Sequence, residues 1–296
     1  MRPPQADRTR ETESMPPRIT RRQFTVGGLA ALAGAGLGYG FGLEPRWLEV
    51  QRIEVSLRRP LAAPVRILHL ADLHRSSSVG LPLLEEAVRL GLAESPDLAC
   101  LTGDFITAGD STDLDGYVDV LRSLSSRVRT FAVYGNHDGG LWSGQRDGES
   151  SFDRVASLLA DSGVEVLHNR AIRVETAGRP LRLAGVGDLW GLDCDPVGAR
   201  GTALADPSPT VVLAHNPDTK DAMAGLPWDL MLSGHTHGGQ VVVPFLGPPF
   251  VPVRDRRFVA GLNAWDDRQI YTTRGVGNIR GLRFHCRPEV TILDLT

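Results

Sequence analysis

Short apolar runs recur along this chain, and each breaks off at polar residues. Residues 65–70, 98–101, 130–134, 210–213 and 230–232 have the length and composition of buried strands. Residues 53–57 alternate apolar and polar side chains, as a half-buried strand does. Between these runs the period changes. Residues 81–94 place apolar side chains at 83, 84, 87, 88 and 92, which is one face of a helix. Residues 114–124 repeat that spacing at Leu114, Tyr117, Val118, Leu121 and Leu124, and 152–159 form a third such stretch with Ser151 as its N-cap. Further strands are expected at 164–167, 181–186, 240–243, 269–272 and 290–295. Strand and helix in alternation predict an α/β layered domain. No linker interrupts it and no internal repeat appears, so 46–296 read as one domain.

The first 45 residues follow different rules. Residues 1–19 are polar, proline-containing and mixed in charge, the composition of a disordered tail. Thr20-Arg21-Arg22-Gln23-Phe24-Thr25-Val26 then leads into an uncharged stretch of Gly, Ala and Leu from Gly27 to Gly42. A basic patch ahead of a weakly apolar stretch reads as an export signal, and the paired arginines with Phe24 resemble a twin-arginine translocation signal. The expected partner is then the twin-arginine translocase, and the expected location is the periplasm, cell wall or outer face of the membrane. The stretch from Phe24 to Leu43 is also about long enough to anchor the chain in a bilayer, although its glycines make it a poor membrane helix.

Charge changes the picture little. Residues 1–43 carry six arginines against Asp7, Glu11 and Glu13, while the whole chain has a formal net charge of −3, so the body is acidic. An acidic body argues against specific nucleic-acid binding, which needs a basic face. Cys100, Cys194 and Cys286 are too few and too scattered for a disulfide framework.

The strand ends carry the chemistry. Asp72-Leu73-His74 follows the 65–70 run, and Gly103-Asp104 follows 98–101. Gly135-Asn136-His137-Asp138 follows 130–134. His215-Asn216 follows 210–213, and Gly234-His235-Thr236-His237 follows 230–232. In open α/β sheets, loops at the carboxyl ends of strands converge, so these groups are expected to share one site. Carboxylate, imidazole and amide donors without thiolate suit Mn, Fe, Zn or Ni and argue against a structural zinc site. Asp72, His74, Asp104, Asn136, His137, His215, His235 and His237 exceed the needs of one tetrahedral ion. Two divalent ions, about 3.5–4 Å apart, would use them in phosphoryl transfer. Asp104 stands between the other groups as the natural bridge.

In this order, Asp-x-His, Gly-Asp, Gly-Asn-His-Asp, a lone His and Gly-His-x-His resemble the calcineurin-like metallophosphoesterases. The match spans residues 65 to 240. Gly238-Gly239-Gln240 and the tail 273–289 resemble the small exported bacterial phosphodiesterases of that superfamily. The resemblance implies two packed mixed β-sheets flanked by helices. It implies that Asp72, His74 and His237 bind one metal, that Asn136, His215 and His235 bind the second, and that Asp104 bridges them. It further implies that a metal-bridging hydroxide attacks phosphorus. His137 would protonate the leaving oxygen or stabilise the phosphoryl oxygens, with Asp138 holding its imidazole. Thr107 stands where purple acid phosphatases carry a tyrosine ligand, which argues against an iron(III) centre of that kind. The lipid A precursor hydrolases have an arginine where His137 stands, so this chain departs from them.

Other polar residues have plainer readings. His69 lies inside a strand, facing the core or hydrogen-bonded, and His168 reads as a surface residue. Asp110, Asp113 and Asp115 read as a solvated cluster at a helix start, and Asp193 and Asp195 as a solvated loop. Arg274 and Arg280 are candidate phosphate contacts. Residues 244–250, PFLGPPF, form a stiff apolar loop that could wall an apolar or lipid-like leaving group. The expected function is a dinuclear metal-dependent phosphodiesterase. Its alternatives are a phosphomonoesterase or lipid-headgroup pyrophosphatase on the same site, or a non-catalytic metal-binding envelope protein.

Overall fold

The computed structural model describes residues 20–61, 63–110, 112–176, 179–201 and 207–296. The polar tail 1–19 lies outside the described residues. The chain divides into two units, one ending at Gly38 and one running from Tyr39 to Thr296. In the first unit the described residues form one helix, α1 (Arg21–Gly38). The helical stretch Arg21–Arg46 is long and apolar enough to cross a membrane by length and composition, a test that signal sequences also pass.

The second unit starts at Tyr39, ahead of the boundary expected at Arg46. The reason is local. The buried Glu44 carboxylate accepts the backbone N–H groups of His285, at 2.9 Å, and Cys286. The Arg283 N–H donates to the Gly40 carbonyl at 2.9 Å. Glycine and aromatic composition continues the apolar stretch across this point, so hydropathy could not mark it.

Two six-stranded sheets build the unit. The first contains β1 (Glu49–Val55), β2 (Val65–Leu70), β3 (Leu98–Thr102), β4 (Thr130–Val133), β5 (Glu165–Val166) and β12 (Glu289–Leu295), in the order β1-β12-β2-β3-β4-β5. All its pairs are parallel except β12 with β2. The second contains β6 (Arg170–Thr176), β7 (Arg179–Gly185), β8 (Thr210–Leu213), β9 (Leu230–Ser233), β10 (Gly261–Trp265) and β11 (Arg268–Thr272), in the order β10-β11-β9-β8-β7-β6. Its three central pairs are parallel and its two outer pairs antiparallel. The architecture is therefore two mixed sheets flanked by helices.

Period-2 burial explains the sandwich. Ile67, Leu98, Cys100, Phe131 and Val133 from the first sheet meet Leu183, Val211, Leu213, Leu230 and Leu232 from the second. The alternate residues point outward. Leu68, Leu70, Ala99, Leu101 and Ala132 pack under the helices α2 (Leu81–Ala93), α3 (Tyr117–Ser125) and α4 (Asp153–Asp161). Val212, Met231 and Ile270 pack with Met223, Trp228 and Phe258 on the opposite side. Both faces of the central strands are dry, which is why they read as unbroken apolar runs. His69 sits in this core, with Nε2 2.8 Å from the Thr102 hydroxyl, and burial lowers its pKa to about 3. Residues 240–243, expected as a strand, instead form a bridge at which Val241 pairs with Phe284. The N-cap of α4 is Phe152 rather than the expected Ser151, whose hydroxyl accepts the Asp153 N–H at 3.0 Å from one position earlier.

Candidate metal centre

The parallel strands β2, β3, β4, β8 and β9 all end at one rim, and the loops leaving them bring the expected residues together. Asp72, His74 and His237 form one group, with His237 Nε2 3.1 Å from His74 Nε2 and 3.6 Å from Asp72 Oδ1. His215 Nε2 lies 3.2 Å from His235 Nδ1 and 3.2 Å from Asp104 Oδ2. The same Asp104 oxygen lies 3.3 Å from His74 Nε2, so it touches both groups. Its other oxygen accepts the His137 N–H at 2.9 Å, which fixes the carboxylate in place.

The backbone is bent to make this possible. Asp72, His74, Asp104, His235 and His237 all have φ between 45° and 70°, the left-handed region that non-glycine residues avoid. Strain of this kind, about 1–3 kcal/mol per residue, persists only where surroundings over-determine it. Glycines supply the room. A Cβ at Gly135 would collide with the Asp104 carboxylate, and one at Gly234 with that of Asp72.

Partners behind the rings set their orientation. His215 Nδ1 donates to the Thr102 carbonyl at 2.8 Å, and His74 Nδ1 lies 3.0 Å from the Thr107 hydroxyl. Both imidazoles therefore present Nε2 to the site. His137 Nδ1 accepts the Ala108 N–H at 2.9 Å, so the neutral ring carries its proton on Nε2. His137 also falls with His74 and Asp104 in a group whose donor atoms lie within 4.8 Å of one another.

Asp138 requires a correction. It does not hold the His137 imidazole. Its carboxylate accepts four backbone N–H groups, from Gly135 at 2.7 Å, Asp104 at 2.8 Å, Phe105 at 2.7 Å and Ile106 at 3.3 Å. It clamps the loop that carries Asp104 against its own. Arg274 is likewise no phosphate contact, because Glu289 at 2.6 Å and Glu49 at 2.8 Å occupy its guanidinium. Arg280 does reach the cleft mouth. His168 is a half-buried partner of Asp193 at 3.3 Å, rather than a bare surface residue.

The donor set fits divalent cations. Asn136 Oδ1 is buried without a hydrogen-bond partner. Burial lowers the pKa of His137 to about 3, and burial followed by the nearby His215 does the same for His235. Burial raises Asp72 to about 6, with His215 opposing and Asp104 reinforcing the rise. His215 differs, because burial is outweighed there by the Asp104 carboxylate, which holds its pKa well above the usual imidazole value; a bound cation would take over that charge pairing.

Asp188 escaped sequence reading although it follows β7 as the others follow their strands. It is buried, and its Oδ1 accepts the N–H groups of Trp190 at 2.8 Å and Gly191 at 2.7 Å. That turn sets the Trp190 ring edge-on against His235, with centroids 4.3 Å apart. The Trp142 ring lies tilted against that of His137, with centroids 4.6 Å apart. The two tryptophans, with Pro249 and Phe250, wall a cleft of about 1330 Å³ whose floor is the donor cluster.

The chain matches the calcineurin-like phosphoesterase family over residues 65–239. It is 45% identical over 278 residues to the phosphodiesterase YaeI of Escherichia coli K12, covering 94% of this chain and 99% of that protein. It is 32% identical over 289 residues to the uncharacterized metallophosphoesterase YkuE of Bacillus subtilis, covering 94% and 98%. It is 26% identical over 302 residues to the UDP-2,3-diacylglucosamine pyrophosphatase LpxG of Chlamydia muridarum, covering 85% and 90%. Since the family match spans every strand end that bears a donor, and these donors form two linked divalent-metal clusters, the chain belongs to the calcineurin-like phosphoesterase family and is a metal-dependent phosphoesterase.

Proposed function

We propose that the protein is a phosphodiesterase acting outside the cytoplasm on diesters with an apolar or amphipathic leaving group. The wall of the cleft is the observation that carries this reading. A dianionic monoester calls for cationic groups around the phosphoryl oxygens. Among the described residues lining the cleft, the arginines are Arg146 and Arg280, and the Arg146 guanidinium lies 4.0 Å over the Trp142 ring. The remaining wall is largely aromatic and apolar, which suits the second ester group of a diester. The phosphodiesterase YaeI supports the same assignment.

In this reading Asp72, His74 and His237 would hold one metal, Asn136, His215 and His235 would hold the other, and Asp104 would serve both. Bound metals polarise the phosphoryl oxygens and supply a nucleophile from water at neutral pH. His137 has its proton on Nε2 and donates it to the departing oxygen. Asp138 acts at one remove, by fixing the Asp104 loop. Trp142 and Trp190 hold the rings of His137 and His235 and exclude bulk water. Hydrolysis of a bis-nitrophenyl diester and a nitrophenyl monoester by manganese-loaded protein tests this. The expected result is a higher kcat/KM for the diester; equal or greater activity on the monoester overturns it.

Export by the twin-arginine route rests on Arg21 and Arg22 ahead of the apolar helix. Replacing both by lysine is expected to leave the protein in the cytoplasm, and unchanged export of that variant refutes the route.

A further inference from the structure

We propose that the face bearing the turn at 243–247 is a bilayer-docking surface, which sets the mouth of the cleft against anionic lipid headgroups. The turn is closed by the N–H groups of Leu246 and Gly247, which donate to the Val243 carbonyl at 3.1 and 2.9 Å. At its tip Phe245 has φ 66°, a region that a bulky aromatic rarely adopts. Among the described residues nothing shields the ring. Phe245 is fully exposed and Leu246 is 84% exposed. Glycine or asparagine would suit that backbone better. A phenylalanine there presents its ring outward.

The surface is continuous. The Phe284 N–H donates to the Gln240 carbonyl at 3.0 Å, and its carbonyl accepts the Val242 N–H at 2.8 Å. The adjoining Arg283 N–H binds the Gly40 carbonyl. These bonds set the segment carrying exposed Phe41 and Leu43 beside the turn. Phe41 and Phe250 both line the cleft, whereas Phe245 and Leu246 do not. The apolar loop expected to wall the site is thus divided in use, part facing the cleft and part facing away.

Charge identifies the occupant. Arg46 donates to the Gly42 carbonyl at 2.6 Å, Arg256 to that of Pro248, and exposed Arg280 stands at the cleft mouth. Exposed aromatics with arginines on the adjoining segments, on an otherwise acidic body, match the interface of an anionic bilayer. A second copy of the chain would bring these arginines together. Connectivity agrees, because the unit's first residues, Tyr39 to Arg46, close the helical stretch Arg21–Arg46, which is apolar and long enough to cross a membrane. The docking depends on this surface and not on the reaction chemistry.

The test uses the full chain reconstituted in phosphatidylcholine–phosphatidylglycerol vesicles, where the N-terminal helix retains every variant and the measurement reads docking alone. Cys100 and Cys286 are buried, so a Cys194→Ser background leaves an introduced cysteine free for a fluorescent label. A label at Phe245→Cys is expected to be quenched several-fold more by a lipid-borne quencher than one at exposed Asp266→Cys, between β10 and β11. Phosphatidylcholine alone should narrow that difference. Equal quenching at the two positions overturns the proposal. Phe245→Asp with Leu246→Asp is expected to keep full activity on a soluble diester while losing vesicle-dependent hydrogen-exchange protection of 240–250. Lost soluble activity would place the turn in the catalytic machinery, and protection that rises with protein concentration without vesicles would make it a dimer interface; either overturns the proposal.

Discussion

The first sheet sends Asp72, His74, Asp104, Asn136 and His137 into the cleft, and the second sends His215, His235 and His237. Oxygen donors and negative charge come from the first, and imidazoles dominate the second. The two sides are held differently. On the first, Asp138 gathers four N–H groups and the Asp104 loop is fixed by hydrogen bonds. On the second, His235 leans on Trp190, whose turn is tied to Asp188. The carboxylates of the first side are built in by directional bonds, because a misplaced carboxylate costs more than a misplaced ring; on the second side packing on Trp190 adds to hydrogen bonds such as that of His215 to the Thr102 carbonyl. Asp104 is the point where the sides meet, and variants there should break the distinction altogether.

Asp104→Asn is expected to have the largest effect. It removes the charge that both groups share, so both metals should be lost and diester hydrolysis should fall to background. Elemental analysis of metal-loaded protein checks this. If one metal remains at full occupancy, Asp104 does not link the two sides. His137→Ala comes next. Its Nε2–H is a donor, so the variant should keep both metals while kcat falls roughly 10²–10⁴-fold. The loss should grow with the pKa of the leaving alcohol. Loss of a metal would instead make His137 a ligand, and an equal loss for all leaving groups would assign it to holding the phosphoryl oxygens.

The strand ends were readable before the structure because buried parallel strands have an unmistakable apolar signature, and polar residues directly after them have no packing use. Asp188 obeys the same rule, behind a run that ends in Ala184-Gly185-Val186-Gly187, but no second metal-binding residue type flanks it. The role of Asp138 was not legible. Whether a carboxylate binds a neighbouring imidazole or four backbone N–H groups depends on left-handed turns at Asp104 and elsewhere, which sequence does not mark for aspartate or histidine. The start of the folded unit at Tyr39 was hidden too, since Glu44 is buried by partners more than two hundred residues away.

Asp138→Asn sharpens the comparison on the first side. A carboxamide offers one acceptor oxygen, and its NH₂ group would face backbone N–H groups. The expected loss is about 3 kcal/mol of stability, read from the denaturant midpoint. Activity should fall by roughly 10–100-fold through a loosened Asp104 loop. The dependence on leaving-group pKa should stay as in the wild type, because His137 keeps its Ala108 contact. A changed dependence would mean that Asp138 acts on His137 after all.

Thr107→Val is expected to have the smallest effect and asks the finest question. The Thr107 hydroxyl lies 3.0 Å from His74 Nδ1; with Nε2 committed to a metal the ring proton is on Nδ1, and the hydroxyl then accepts it. Valine preserves the shape and removes the acceptor, leaving a buried N–H unpaired. If hydrogen bonds position the first side, affinity for the metal that His74 holds should weaken by roughly 10-fold, as when other outer partners of metal ligands are removed. The metal assigned to His215 and His235 in the proposed reading should bind as before, because the Thr102 carbonyl still fixes His215. The rival is packing. The His74 ring also stacks on His237 at 4.9 Å and meets His137 edge-on at 4.8 Å, and these contacts survive the substitution. Unchanged affinity at both metals would show that ring packing positions the first side as well, and the contrast between the sheets would then be one of donor chemistry alone.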